Sequence, residues 1–381
     1  MIEIREVTTR KEQKIFAEFP TVLYGKVPQA IPDLVSEERD MFRPKKNPAY
    51  EFCRAKQFLA YRDGRCVGRI AGIINKAANE KWHTKRIRFS RLDFIDDPKV
   101  SEALLEAVME WGRQEGLAEI HGPLGFSDMD QEGMLVEGFQ EEGMFLTIYN
   151  HPYYVKHMEA MGFQRDTDWV EFQVKIPKES NEKIDLLSAA VLKKYKVRLI
   201  EPKSRSEIKP YLTKIFDLYN ITYENLYGTV KLSYRQIMKY YKQFILMINP
   251  QYLKLLVDEE EQVVGFGLAM PSLNKAAKKS NGRLLPLGWY RIIRAPYAKT
   301  TKVLDLYLIG VLPNMQNKGM TAVLMNSMAT SARKNGFEIA ETGPELENNH
   351  QVQALWKHYD TRQHKRRRCW VRTIEKRNGE F

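Results

Sequence analysis

Hydrophobic and polar positions repeat along this chain in two similar blocks. Residues 57–72 contain two apolar runs on either side of a polar turn, and residues 252–268 show the same arrangement, so each block predicts a pair of antiparallel strands. A helical pattern at 153–161 recurs at 351–359, and both landmarks lie roughly 200 residues apart, as in a diverged duplication. Strands alternate with helices throughout, which predicts an α/β layer architecture with a mixed sheet.

The boundary between the two halves falls in a polar stretch. Each half opens with a short strand pattern, at 2–7 and at 197–200, and residues 178–183 are polar and follow Pro177. A helical pattern from Ile184 to Lys194 would bridge the halves. We therefore predict a first domain at 1–177, a linker with a bridging helix at 178–195, and a second domain at 196–381.

The second half contains a strand, a glycine-bearing turn and a helix in succession. Residues 303–309 read as a buried strand, and the apolar positions of 322–332 recur at helical spacing. Backbone N–H groups in such a turn, with the positive end of the helix dipole behind them, can bind a phosphate. Gly319 would let the backbone approach the ligand closely. An ordinary strand–turn–helix connection shows the same pattern, so the turn alone does not distinguish a phosphate-binding site from such a connection.

The matching position of the first half has a different chemistry. Its strand at 87–94 is followed by Asp96, Asp97 and Pro98, with no glycine. Two carboxylates would repel phosphate, and Asp97 followed by Pro98 is typical of a helix start. We predict that the first half does not bind a phosphate at this helix.

The glycine-bearing turn resembles the acetyl-CoA-binding signature of the GCN5-related N-acetyltransferase (GNAT) superfamily, a Val-Pro strand exit followed by Gln/Arg-x-x-Gly-x-Gly/Ala. The matching residues are Val311, Pro313, Gln316 and Gly319, whereas Thr321 departs from the pattern. The elements that follow agree in order, with a strand at 337–341 and then an Asn-led helix. The resemblance implies an α/β fold with two tandem GNAT-like domains, each a mixed, mostly antiparallel sheet flanked by helices.

The resemblance also implies roles for particular residues. A backbone N–H near Gly310 or Val311 would stabilise the oxyanion, and Trp356 replaces the Tyr that protonates the thiolate in many relatives, so that role would pass to Tyr359. The implied acyl-CoA or acetyl-CoA site comprises Ile309, Gly310, Val311, Gln316, Asn317, Lys318, Gly319, Met320, Thr321 and Asn349.

The implied reaction, attack of an amine on a thioester, needs a base for the ammonium proton. A carboxylate whose pKa is raised by burial suits this task. Asp305 lies on the central strand between two leucines, and Glu341 lies on the neighbouring strand; Glu345 and Glu347 are weaker candidates. A lone histidine is more often structural, so we rank the histidines of the functional loops below the carboxylates: His121, His151, His157 and His350.

The segment 121–139 is rich in glycine and acidic residues, which we interpret either as a surface loop or as a wall of the acceptor site. Together with Asn150-His151-Pro152-Tyr153-Tyr154, it resembles the tandem-GNAT group that includes bacterial ceramide synthases. That resemblance implies a long-chain (sphingoid) amine as acceptor. The alternatives are a cytosolic small-molecule N-acetyltransferase, an aminoacyl-tRNA-dependent transferase and a non-catalytic CoA-binding adaptor.

The net charge of +12 is unevenly distributed. Residues 275–302, called here the basic segment, carry eight Lys or Arg and no acidic residue, interleaved with apolar and aromatic side chains. This predicts either a solvated basic face or an amphipathic segment on an anionic membrane. The run Lys365–Arg368 has no recognition helix beside it, so we do not expect nucleic acid as a partner.

The composition of the chain limits the cellular compartments in which we expect the protein. The sequence has no apolar run of about 18 residues and no signal-peptide pattern, so we expect a cytoplasmic protein that can lie at the inner membrane face. Cys53, Cys66 and Cys369 lack both disulfide and zinc spacing, and we expect reduced thiols and no metal. Acyl-chain length, acceptor and oligomeric state stay open.

Overall fold

The computed structural model describes residues 1–375. Its strands are β1 Glu3–Glu6, β2 Cys53–Arg62, β3 Arg65–Asn75, β4 Arg86–Phe94, β5 Glu119–Gly122, β6 Met134–Glu137, β7 Gln164–Lys175, β8 Arg198–Ile200, β9 Leu253–Val257, β10 Val263–Pro271, β11 Val303–Val311, β12 Ile339–Thr342, β13 Glu345–Leu346 and β14 Thr361–Thr373. Its α-helices are α1 Arg10–Leu23, α2 Val35–Met41, α3 Lys76–Lys81, α4 Pro98–Gln114, α5 Tyr153–Ala160, α6 Glu182–Lys194, α7 Arg205–Ile208, α8 Leu212–Thr222, α9 Tyr234–Phe244, α10 Asn274–Ser280, α11 Gly288–Arg294, α12 Met320–Lys334 and α13 His350–Trp356.

The strands form one continuous mixed sheet rather than a separate sheet in each half. The order is β1-β2-β3-β4-β5-β14-β7-β12-β11-β10-β9-β8, with β6 beside β14 and β13 beside β7. Most neighbours are antiparallel, and the parallel pairs are β4 with β5 and β11 with β12. The predicted hairpins are confirmed as β2–β3 and β9–β10.

The two halves exchange their last strands. The C-terminal strand β14 lies between β5 and β7 and pairs Trp370 with Gly122, while β7 of the first half reaches across to β12 and pairs Val174 with Ala340. Each half is therefore completed by a strand from the other. Because this ladder crosses the middle of the molecule, the halves cannot separate without breaking backbone hydrogen bonds.

Each half also lays an insertion on the other. The first-half segment 123–133 contacts helices of the second half, where the Ser127 and Tyr240 hydroxyls lie 2.9 Å apart and the Tyr219 hydroxyl donates to Asp128. The second-half insertion, α10 and α11 of the basic segment, contacts the first half, where Val35 N–H donates to Gly282 O at 3.0 Å. The insertions lie at different points of the two repeats, one after β5 and one after β10.

The segment 121–139 is not a surface loop, which corrects one of the two interpretations given for it. It contains strand β6, and the side chains of Leu124, Phe126 and Met134 are buried. Its glycines permit close packing: Gly138 has φ +87°, and a Cβ there would lie 2.2 Å from His364 O. The many glycines thus allow backbones to approach, which is a core requirement and not a sign of an exposed loop.

Helices cover both faces of the sheet. Helix α4 buries Val100, Leu104 and Val108 against the first half of the sheet, and α12 buries Val323 and Leu324 against the second. Burying each such side chain contributes about 1.5–3 kcal/mol. Within residues 1–375, none of the helices combines the length and apolar character needed to cross a bilayer.

Candidate active site

The parallel strands β11 and β12 diverge beyond Leu306, and the space between them is called here the cleft. Their pairing runs from Val303 opposite Ile339 to Leu306 opposite Thr342 and then stops, whereas β11 continues to Val311 beside β10. The pairing with β10 skips Tyr307, which therefore forms a bulge where the divergence begins. The main chain beyond Leu306 faces the cleft without a strand partner on that side.

The hydrogen bonds of β11 show which of its backbone groups face the cleft. Leu312 N–H donates to Val264 O on β10 at 2.9 Å, so the alternation of an antiparallel pair turns Val311 and Ile309 towards the cleft. Their carbonyls accept from Gln316 Nε2 and from the Tyr223 hydroxyl, both at 3.1 Å. The N–H groups of Ile309 and Val311 therefore point to the same side as these two carbonyls.

Gly310 has a different role from the one predicted. The same alternation turns its backbone towards β10, so its N–H is not available to an oxyanion in the cleft. A Cβ on Gly310 would lie 2.8 Å from the Phe266 ring and 2.9 Å from Thr222 Oγ1. Gly310 is therefore needed for α8 to pack closely over the strand.

The turn before α12 leaves the start of that helix open. Gly319 is the N-cap with φ +83°, Asn317 has φ +57°, and no side chain of residues 1–375 caps α12. The Lys318 ammonium lies 5.3 Å from the Tyr195 ring, beside the turn. A helix start without a side-chain cap presents free N–H groups to an anion.

The matching helix of the first half is closed by the protein itself. Asp97 caps α4 and accepts from Lys99 N–H at 2.9 Å, with Pro98 in the first helical position, as predicted from the sequence. Arg62 forms an ion pair with Asp97. A carboxylate of the protein itself thus occupies the start of this helix.

Other predicted cofactor residues make internal contacts. Gln316 holds the Val311 carbonyl, Met320 is buried in the core, and Asn349 caps α13 by accepting from Val352 N–H at 3.4 Å. Thr321 is half-buried in the first turn of α12. The Lys318 ammonium contacts the Met315 sulfur at 4.0 Å and the Tyr195 ring, beside the backbone of the turn.

Asp305 and Glu341 face one another across the parallel pair at the base of the cleft. Asp305 is 1% exposed, and burial, with the neighbouring Glu341 charge, raises its pKa to about 8. Burial also raises the pKa of Glu341, which Lys365 contacts at 3.5 Å and Gln173 at 3.2 Å. Asp305 is thus poised to exchange a proton near neutral pH, the condition that suits a general base.

The basic run of β14 is buried and paired. Lys365 and Arg367 are each 1% exposed and bind Glu171, while Arg366 and Arg368 bind Asp168. The run therefore supplies counter-charges to carboxylates in the middle of the sheet. Its alternation places Lys365 beside Glu341, where its charge lowers the pKa of both Glu341 and Asp305 against the effect of burial.

Sequence reasoning ranked Glu345 low, yet the structure places it beside the cleft. Burial raises its pKa to about 8, and Trp356 Nε1 donates to its two oxygens at 3.0 and 3.1 Å. After burial, the charges of Asp128 and Glu345 help to raise the pKa of Tyr223, the residue that holds the Ile309 carbonyl. The sequence signal that could have identified Glu345 is its position just beyond the end of β12, the strand that diverges from β11.

The remaining candidates lie in structural contacts. Tyr359 packs on Trp356 with ring centroids 6.4 Å apart, and burial raises its pKa. Glu347 is ion-paired to Arg366 at 3.0 Å, and His157 binds Asp96 at 2.9 Å. His151 stacks on Tyr153, and His350 begins α13.

The ligand atoms of His121, Asp166 and Cys369 lie within 4.8 Å of one another. The Tyr227 hydroxyl sits among them, 3.1 Å from His121 Nδ1 and 3.4 Å from Cys369 Sγ, and donates to Asp166. The hydrogen bonds of Tyr227 join the group into an internal network. Cys53, Cys66 and Cys369 are free thiols.

The continuous sheet with its exchanged strands resembles the fold of solved tandem GNAT proteins. A tandem GNAT protein from the clavulanic acid biosynthesis pathway, solved without acetyl-CoA, superposes with a TM-score of 0.56 and 12% identity, covering 99% of this chain and 100% of that one.

Two relatives cover most of the sequence. Bacterial ceramide synthase of Caulobacter vibrioides (strain NA1000 / CB15N) is 27% identical over 356 residues, 89% of this chain and 90% of that one. Protein YghO of Escherichia coli (strain K12) is 25% identical over 314 residues, 82% of this chain and 79% of that one. No protein-family model matches the chain.

Proposed function

We propose that this protein transfers an acyl group from an acyl-CoA to an amine, and that the transfer takes place at the cleft of the second half. The observation that carries the proposal is the difference between the two helix starts, open at Gly319 and closed by Asp97. An open start beside a diverging parallel pair is where a pyrophosphate and a pantetheine arm can be accommodated together.

Each step of the reaction has a group to perform it. The turn at 316–321 binds the pyrophosphate, and the N–H groups of Ile309 and Val311 stabilise the oxyanion that forms when the amine adds to the thioester. Asp305 takes the proton that the attacking nitrogen loses, with Glu341 and Glu345 as the alternative bases. The C–S bond then breaks, an amide is left, and the thiolate leaves, with Tyr359 as the proposed proton donor.

For the acceptor we propose a long-chain amine of the sphingoid class. The relative named bacterial ceramide synthase, which aligns over most of both chains, supports this choice. The surface supports it as well: Leu285 is 78% exposed and Trp289 is 48% exposed, on a segment without acidic residues. We further propose that this surface attaches to an anionic membrane from which the amine is drawn.

The test is release of free thiol when the purified protein is mixed with an acyl-CoA and an amine. We expect turnover when the amine is sphinganine in mixed micelles. With a series of long acyl-CoAs, the rate should show an optimum in acyl-chain length. Turnover on a short soluble amine and none on sphinganine would favour a small-molecule N-acetyltransferase instead. Loss of activity after RNase treatment would indicate an aminoacyl-tRNA donor, and CoA binding without turnover on any amine would indicate an adaptor.

A further inference from the structure

A second cavity, of about 410 Å³, lies in the first half and away from the cleft just described. Its walls are the end of α1 with the loop that follows, the bulged end of β4, the segment 131–150, and Lys278 with Asn281 from the insertion of the second half. Its size is that of a small-molecule site. The start of α4, the matching helix of the first half, is closed by Asp97. This cavity is therefore not part of the site proposed to bind pyrophosphate.

The floor of the cavity is built from buried ion pairs. Arg69, which lines the cavity, binds Asp93 at 2.7 Å and Glu38 at 3.3 Å, and Arg91 binds Glu38 at 2.9 Å. Tyr24 donates to Asp93 at 2.7 Å. Both of these carboxylates, Glu38 and Asp93, are thus held by guanidinium groups.

Asp33 is the carboxylate for which no cation is left. It lines the cavity, and Gln131 Nε2 donates to its Oδ1 at 2.6 Å. Among the residues that the structure describes, no Lys, Arg or His lies within ion-pair distance of it. Burial, with the nearby Glu38 charge, raises the pKa of Asp33 to about 7, against the opposing effect of the Arg91 and Arg69 charges.

Arg91 is the cation with a donor to spare. Its side chain is buried and lines the same cavity, yet its Nη1 has no hydrogen-bond partner in the described part of the chain. Its backbone has φ +51°, in the left-handed region that a non-glycine residue rarely adopts, which is typical of residues held for a function. An unpaired buried donor costs about 1–3 kcal/mol, so its retention calls for a ligand.

We propose that this cavity binds a primary ammonium with an oxygen acceptor on a neighbouring carbon, the ammonium at Asp33 and the oxygen at Arg91 Nη1. Such a ligand supplies the missing cation and the missing acceptor together. The site is separate from the transfer reaction and holds whether or not the second half binds CoA.

The rest of the cavity suits a ligand with an apolar part. Val27, Ile31, Leu92, Met134 and Ile148 line it above the charged floor. Lys26 also lines the cavity but forms no ion pair with Asp33 in the described part of the chain, and Lys278 is held by Glu142 and by Pro28 O. Because Lys278 and Asn281 belong to the insertion that carries the exposed Leu285 and Trp289, the cavity adjoins the surface proposed to meet a membrane.

The experiment measures binding of small probes to the full chain by calorimetry or saturation-transfer NMR. The probes are serinol (an amino alcohol), serine (an amino acid), 1,3-propanediol (without the amine) and octanoate (without the amine, with a carboxylate). We expect serinol or serine to bind and 1,3-propanediol not to bind. Serinol alone would identify an amino-alcohol head, and serine alone an amino acid.

Matched variants assign the site. Asp33→Asn keeps the shape and the contact with Gln131 and should weaken binding at least tenfold, while Asp40→Asn, in an exposed pair with Arg43 outside the cavity, should not. Arg91→Lys tests the oxygen contact, with thermal unfolding as the check on folding. Thr321→Glu should leave probe binding intact even where CoA binding is lost. Octanoate binding that Asp33→Asn leaves unchanged, or no probe binding by the folded wild type, would overturn the proposal.

Discussion

Asp97 and Gly319 hold the same position in the two halves, each as the N-cap of the helix that follows the diverging strand. Asp97 fills the helix start with its own carboxylate, whereas Gly319 contributes no side chain and adopts φ +83°. A Cβ on Gly319 would also lie 3.0 Å from Val191 of α6. Substituting Gly319 would therefore disturb packing as well as any ligand, and a sharper test uses the next turn of the helix.

Thr321→Glu separates the phosphate seat from the fold. A carboxylate in the first turn of α12 should stabilise the helix by about 0.3–1 kcal/mol, since it complements the helix dipole. The same charge should repel pyrophosphate and weaken CoA binding at least tenfold. Calorimetry with CoA and thermal unfolding measure the two effects.

The matched control for Thr321→Glu is Lys99→Glu, at the same position of α4. It should leave CoA affinity unchanged, because that helix start is already closed by Asp97. Equal loss of CoA binding in both variants would mean that overall charge, and not the turn at 316–321, governs the affinity.

Asp305→Asn should lower kcat by about 10²–10⁴ with little change in CoA affinity, the usual scale for loss of a general base. The wild-type rate should rise with pH and level off above about 8, where Asp305 becomes ionised, and the variant should lack this limb. Rate–pH profiles on Asp305→Asn, Glu341→Gln and Glu345→Gln identify the base. Glu338→Gln, on an exposed carboxylate paired with Lys302, is the control. If all three variants keep wild-type rates, the carboxylate mechanism is wrong.

The same group predicts a pH dependence of stability. The folded pKa of Asp305, about 8, lies above its unfolded value of about 3.9. The folded state therefore binds the proton of Asp305 more tightly than the unfolded state does. The contribution of Asp305 to the free energy of unfolding of the wild type should accordingly fall as the pH rises from about 4 to 8. The free energy of unfolding of Asp305→Asn, measured by urea unfolding, should depend less on pH over that interval. A variant with an unchanged slope would show that Asp305 is ionised in the folded protein.

The basic segment should attach to anionic vesicles in a salt-sensitive manner. Neutralising Lys279, Arg291 and Arg294 to Gln should abolish sedimentation with the vesicles, since each basic residue near the surface contributes about 1 kcal/mol. Lys278 is left intact because it fastens the segment to the first half through Glu142. Neutralising three exposed lysines elsewhere, Lys85, Lys99 and Lys156, is the control, and an equal loss there would reduce the effect to net charge.

Gly138→Ala should destabilise the protein strongly. Its φ of +87° costs about 1–2 kcal/mol for a residue with a Cβ, and the Cβ would also meet His364 O at 2.2 Å. Gly162→Ala, with φ +76° and open space around the Cβ, isolates the conformational cost. Urea unfolding should show a clearly larger loss for Gly138→Ala, and equal losses would contradict the close packing of 121–139.

Local pattern predicted the elements well because hairpins, caps and helix starts depend on neighbours in sequence. The β11–turn–α12 unit and the cap at Asp97 were both predicted, and the structure has them. The strand exchange was missed, since nothing within β14 specifies that β5 will be its neighbour. The burial of 121–139 and the contacts of Tyr223 and Glu345 were missed for the same reason, because each depends on residues distant in sequence.

The exchange of strands has a consequence for how the chain acquires its shape during synthesis. When the first half has left the ribosome, the edge of β5 still lacks its neighbour, because Thr361–Thr373 follows only after the rest of the second half has been made. The nascent chain must keep that edge from pairing with other chains until β14 emerges. Folding thus includes the closure of a long-range strand pair, and such closures are slow.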